Sequence, residues 1–233
     1  MLKIKLFMDG ADLNQMLEGA KDPKIQGFTT NPTLMKKAGI TNYEKFAKEV
    51  ITAILNKPIS FEVFSDDLKN MEHEARIINS WGGNTHIKIP IMNTKGESTI
   101  PLIKKLSDEN FSLNITAIFT LKQVNDVAKN VNKNSRTIVS VFAGRIADTG
   151  VDPVPMMRES VKILQDNKNS ELLWASPREL LNIFHAEDCG CHIITATNDI
   201  LKKLSLYKKD LLEFSRETVQ MFYDDAKSAG FKL

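Results

Sequence analysis

What most constrains this chain is a repeat of form rather than of letters. A short apolar or β-branched run is followed by an amphipathic stretch, again and again. The runs are KIKLFMD, KIQGFTTNP, ISFEVF, THIKIP, SLNITAIF, TIVSVFAG, LLWAS and HIITAT. Between most of them apolar residues recur at helical spacing, as in Tyr43, Phe46, Ala47 and Val50, or Leu68, Met71, Ala75 and Ile78. Eight strands alternating with helices predict an α/β chain closed into a parallel (β/α)8 TIM barrel. An open doubly wound sheet is the structural alternative, and the lack of G-x-G-x-x-G after the first run weakens its nucleotide-binding form. The chain's 233 residues suit one such domain spanning 1–233, and a hydrophobic content of 42% is enough for a sizeable core. From about Lys208 to Ala229 the sequence reads as a C-terminal helical extension, packed on a neighbouring subunit or capping its own barrel.

Composition excludes some partners. Lys plus Arg is 31 and Asp plus Glu is 29, a net charge of +2 with no basic run, which argues against nucleic acid. The first apolar stretch is broken by Lys3 and Lys5, so neither a signal peptide nor a membrane span is expected. Cys189 and Cys191 sit one residue apart, where a disulfide would be strained, and this points to a reducing cytoplasm. With His185 and His192 they form HAEDCGCH, whose spacing is not a common zinc pattern. The run leads into the last strand, so it should lie at the barrel's N-terminal face as buried thiols and a capping histidine. No metal site is expected.

Polar residues interrupt the apolar runs near their ends: Asp9, Thr29, Thr30 and Asn31, Glu62, Lys88, Asn114 and Thr116, Ser140 and Arg145, then Ser176 and Arg178. In a parallel barrel the strand C-termini converge on one face, which holds the active site. Each residue also has a plainer reading: Asp9 and Asn31 as caps, Glu62 and Lys88 as a structural ion pair. Lys88 stands out. It lies between Ile87 and Ile89 in a strand ended by Pro90, so it faces the interior. Buried lysines are costly, and a low dielectric favours the neutral amine, a nucleophile toward carbonyls.

Taken in order, these segments resemble the transaldolase family, in its short transaldolase and fructose-6-phosphate aldolase-like branch. GFTTNPTL resembles that family's TTNP signature and HIKIP its lysine strand. LNITAIF resembles its Asn-x-Thr strand, SVFAGRI its S-x-F-x-G-R-I segment, and WASPR its A-S-x-R segment. The resemblance runs from Asp9 to about Cys191 and implies a class I aldolase chemistry. Lys88 would form an imine with a ketose carbonyl. Glu62 would act through a water as general acid/base, held near Thr116, and Asp9 would take the proton from the donor's C4 hydroxyl. Thr30, Asn31 and Asn114 would bind the donor, Ser140 would orient the intermediate beside Phe142, and Arg145, Ser176 and Arg178 would clamp the terminal phosphate. The protonated imine is itself the electron sink, so no cofactor is implied.

Two positions separate the branches of the family: transaldolases carry Glu on the third strand and Phe on the sixth, the aldolases Gln and Tyr. Glu62 and Phe142 favour transfer of a dihydroxyacetone unit from fructose 6-phosphate or sedoheptulose 7-phosphate to an aldose phosphate, a pentose phosphate pathway reaction. The chain length resembles the short branch, which includes aldolases releasing free dihydroxyacetone and assembles as ring-based homo-oligomers, pentamers or decamers. Pro177 stands where A-S-x-R usually has Phe, and this keeps 6-deoxy-6-sulfofructose as an alternative donor to the sugar phosphates. The rival classes are a non-catalytic sugar-phosphate sensor and a phosphate-binding barrel isomerase. A serine hydrolase lacks its G-x-S-x-G context.

Overall fold

In the computed structural model, which describes residues 2–232, the strands pair in the order β1 to β8 and close into a parallel barrel. The elements are β1 (Lys5–Asp9), α1 (Leu13–Lys21), β2 (Ile25–Thr29), α2 (Pro32–Lys37), α3 (Tyr43–Ala53), β3 (Ile59–Glu62), α4 (Leu68–Ser80), β4 (Thr85–Pro90), α5 (Ile100–Asp108) and β5 (Leu113–Ile118). They continue with α6 (Leu121–Asn130), β6 (Thr137–Val141), α7 (Ala143–Ala147), α8 (Val154–Leu164), β7 (Ser170–Trp174), α9 (Leu181–Asp188), β8 (Ile193–Thr197), α10 (Asn198–Lys202) and α11 (Leu211–Ser228). The fold is the (β/α)8 TIM barrel that the alternation of runs predicts.

Local chemistry sets the boundaries. The second run stops at Thr29 because Asn31 caps α2, accepting from Leu34 N at 2.9 Å, and Pro32 takes the first helical turn. The sixth stops at Val141, where the chain turns into α7 at Ala143. The helical spacings hold: Phe46, Ala47 and Val50 are buried on α3, and Met71, Ala75 and Ile78 on α4. Inside the barrel Phe7, Ile138, Leu173 and Ile193 form one apolar cluster. Gly27 makes room for it, since a Cβ there would overlap the Phe7 ring.

Contacts divide the chain into one unit up to Leu201 and another from Lys202. The second unit has a 3₁₀ turn (Lys203–Leu206) and then α11, whose start is later than the expected Lys208. Lys208 is left-handed at φ 59°, and Asp210 caps the helix by accepting from Glu213 N at 2.8 Å. No residue of α11 is buried, and Leu211, Leu212, Val219 and Phe222 are exposed. Among the described residues, no helix is long and apolar enough to cross a membrane. Cys189 and Cys191 are free and buried.

Candidate active site

Strand register brings the charged residues together. Glu62 on β3 is the direct neighbour of Lys88 on β4, which in turn neighbours Asn114 on β5. The Lys88 amine lies 3.1 Å from Glu62 Oε2, with side-chain exposures of 8% and 17%. It also donates to the Thr30 carbonyl at 3.0 Å. Glu62 on β3 and the Thr30 carbonyl just past β2 thus hold a buried amine that would be costly alone. The structural ion pair expected as the plainer reading is present, and it does not remove Lys88 from the mouth.

Asp9 lines the same mouth. The Thr29 hydroxyl donates to Asp9 Oδ1 at 2.7 Å and lies 2.5 Å from the Thr195 hydroxyl. With its one proton on Asp9, Thr29 accepts from Thr195. Burial pushes the Asp9 carboxyl above the usual carboxylate range, opposed by the Lys88 charge and the Thr29 hydroxyl. A carboxylate so raised is a better proton acceptor near neutral pH.

A pocket of about 80 Å³ is lined by Asp9, Asn31, Lys88, Thr116, Ser140, Phe142, Arg145 and Ser176, together with Thr29, Leu173, Ala175 and Thr195. Eight of the residues expected from sequence thus share one cavity. The other four stand one contact behind it. Glu62 touches Lys88, as above. Thr30 gives its carbonyl to Lys88 and its hydroxyl to Ser60 O at 2.8 Å. Asn114 accepts from Ser140 Oγ at 2.7 Å and donates to Ser60 Oγ at 3.0 Å. Arg178 donates to Ser176 Oγ at 3.1 Å while its guanidinium is forked onto Asp148. Arg145 stacks over the Phe142 ring at 5.3 Å. Asn31 serves twice, as the α2 cap and in the pocket wall.

Thr116 Oγ1 is buried without a hydrogen-bond partner among the described residues. In a pocket it shares with a lysine and a carboxylate, such a hydroxyl is placed for a water or a substrate oxygen. The backbone around the mouth is strained. Ala117 at φ 57° makes a bulge in β5, and Ser176 sits left-handed at φ 61°. Gly144 lets α7 come against that turn: a Cβ there would collide with the Ser176 carbonyl.

Sequence reasoning left out Ser60, Thr195, Tyr43 and Asp148. Ser60 and Thr195 interrupt apolar runs just as Asn114 does, so the signal was present. Tyr43, whose hydroxyl donates to the Glu62 carbonyl at 2.8 Å, and Asp148 carry no such signal.

The chain is similar to known proteins along most of its length. A probable transaldolase of Thermoplasma volcanium is 34% identical over 231 residues, 97% of each chain. Another, from a Thermoanaerobacter species, is 32% identical over 231 residues, 99% of this chain and 100% of that one. Among solved structures, the dihydrodipicolinate synthase of Rhodopseudomonas palustris superposes with a TM-score of 0.58 at 11% identity, covering 96% of this chain and 79% of the other, a likeness of fold alone. The family model described as Transaldolase/Fructose-6-phosphate aldolase matches residues 6–233. With a buried lysine on the fourth strand and relatives spanning its whole length, the chain belongs to the transaldolase/fructose-6-phosphate aldolase family.

Proposed function

We propose that the chain is a transaldolase that moves a dihydroxyacetone unit between sugar phosphates through an imine on Lys88. The observation that carries this reading is the buried Lys88 amine, held 3.1 Å from Glu62 in a mouth that also contains Asp9. The amine attacks the ketose carbonyl, and Glu62, through a water, moves the protons as hydroxide leaves and the imine forms. Asp9 then takes the C4 hydroxyl proton. The C3–C4 bond breaks, its electron pair enters the protonated imine to give an enamine, and the aldehyde departs. The enamine attacks an acceptor aldehyde, Asp9 returns the proton, and water releases the new ketose from Lys88.

Asn31, Asn114 and Ser140 hold the hydroxyls of the three-carbon unit. Phe142 has no hydroxyl to protonate the enamine, which favours transfer over release of free dihydroxyacetone. Arg145 faces the terminal phosphate, with Ser176 and Arg178 beside it. A second reading has one observation in its favour. Asp148 already occupies the Arg178 fork, so less positive charge is open at this end. That suits a singly charged sulfonate, as in 6-deoxy-6-sulfofructose. The exposed apolar residues of α11 support a homo-oligomer.

Borohydride reduction in the presence of fructose 6-phosphate tests the imine, with a mass adduct expected on Lys88; an adduct elsewhere, or none with either donor, ends the proposal. With erythrose 4-phosphate left out, free dihydroxyacetone should form slowly. Fast release would assign the aldolase reaction instead, and Phe142→Tyr should raise whatever release there is.

A further inference from the structure

We infer that the opposite, N-terminal mouth of the barrel is a second binding site, one for a small phosphate-bearing anion. A cavity of about 680 Å³ opens there, within the size range of metabolite sites. Three cations line it: Lys5, Arg136 and Lys168. Lys5 is paired with Glu171 at 2.6 Å, the cavity's one carboxylate. Arg136 has only a long contact to Asn84 Oδ1 at 3.4 Å, and Lys168 makes no ion pair among the described residues. Among the described residues, two positive charges are therefore left without a paired counter-charge around one concave surface.

The second observation is independent of charge. Two buried polar atoms of the lining residues have no hydrogen-bond partner among the described residues: His86 Nδ1 and Thr137 Oγ1, on residues exposed by 6% and 1%. Orphaned polar atoms in a folded interior are rare and costly, so a bound group that reached either of them would gain a hydrogen bond. His192 adds a fixed donor. Its Nδ1 accepts from Leu172 N at 3.0 Å, which leaves the ring proton on Nε2 of a cavity-lining residue. Burial and the nearby Arg136 charge pull His86 down to about 4, so near neutral pH its ring can accept as well as donate. Arginine's planar fork beside a mobile lysine suits a phosphoryl group.

This site cannot share in the imine chemistry. Phe7 and Ile138 line its inner wall, Leu173 and Ala175 line the Lys88 pocket, and all four belong to the apolar cluster between the two. Its occupancy would act on stability and on β4, the strand that carries both His86 and Lys88.

Titration calorimetry with inorganic pyrophosphate at fixed ionic strength tests it. The full chain carrying Arg145→Gln and Arg178→Gln silences the other mouth. One equivalent should bind, and adding Arg136→Gln and Lys168→Gln should weaken binding at least tenfold. Both positions are exposed, so these two changes alone should leave transaldol transfer in the otherwise native chain unaltered. In the unsubstituted chain, ¹⁵N resonances of the His86 ring, assigned with His86→Gln, should shift on adding pyrophosphate. Undiminished binding without Arg136 and Lys168, or static His86 resonances, would overturn the site. Tighter binding of citrate than of pyrophosphate would overturn the phosphate assignment.

Discussion

The inward face of β4 carries His86 near one end and Lys88 near the other, and the two mouths they face are built on different terms. At the C-terminal mouth nearly every polar group is already engaged. Lys88 is held by Glu62 and Thr30, Asn114 by Ser60 and Ser140, and Asp9 by Thr29. The pocket is narrow, and strained backbone at Ala117 and Ser176 shapes its rim. At the N-terminal mouth the cavity is wide, Arg136 and Lys168 have no ion-pair partner among the described residues, and two buried polar atoms are unmet. On the proposed readings, the contrast is between a mouth that carries chemistry and one that only holds a ligand. Reacting groups must be fixed before the substrate arrives, since misplacement by an ångström is costly in rate. A binding site can leave its polar groups waiting for the ligand.

Removing the proposed acid/base group should produce the largest effect. Glu62→Gln keeps the side chain's shape and should lower transfer by roughly 10²–10⁴-fold, the usual range for a general acid/base. If Glu62 only balanced the charge of Lys88, the variant would lose stability while its turnover per folded molecule stayed near normal. Steady-state rates beside urea unfolding curves distinguish these outcomes.

A smaller effect belongs to the other mouth. His86 titrates at about 4 in the folded chain against 6.5 for a free side chain, because it is buried and close to Arg136, with Glu171 opposing. The folded state then binds fewer protons than the unfolded one. Stability linked to neutral His86 is fully present above about pH 6.5 and is lost as pH falls through about 4, a swing of about 3 kcal/mol. Unfolding free energies at pH 7 and pH 4, compared between the native chain and His86→Gln, isolate this from other titrating groups such as His192 and Asp9. An identical pH slope in both proteins would refute it.

The smallest expected effect lies between the mouths. Gly27→Ala drives a methyl into the Phe7 ring and should cost about 1–3 kcal/mol by overpacking. The loss should appear in the melting temperature, with the Lys88 adduct still formed by the folded fraction. A variant as stable as the native chain would show that the apolar cluster yields more easily than its packing implies.

How much of this was readable beforehand differs between the mouths. The THIKIP run matched the folded strand residue for residue, from Thr85 to Pro90. Polar letters inside apolar runs marked most of the C-terminal mouth, because there a polar residue is out of place. The N-terminal mouth gave no such sign. Lys5, Arg136 and Lys168 stand at or before strand starts, where charged residues are ordinary, and only closure of the barrel turns them toward one cavity. Arg178 was legible as a cation near the site. Its engagement by Asp148, thirty positions away, was not.

The sequence by itself determined the alternation of strand and helix, favoured a closed parallel barrel over an open sheet, and turned the lysine of the fourth strand inward. These depend on the period of polarity along the chain, which two-residue and 3.6-residue repeats express locally. Only the tertiary structure decided that Glu62 meets Lys88, that Thr116 is left unpartnered, and that a second cavity lies beneath the apolar cluster. Those facts depend on the register between strands and on the closing of β8 onto β1, which set distances across the chain that no one-dimensional pattern contains.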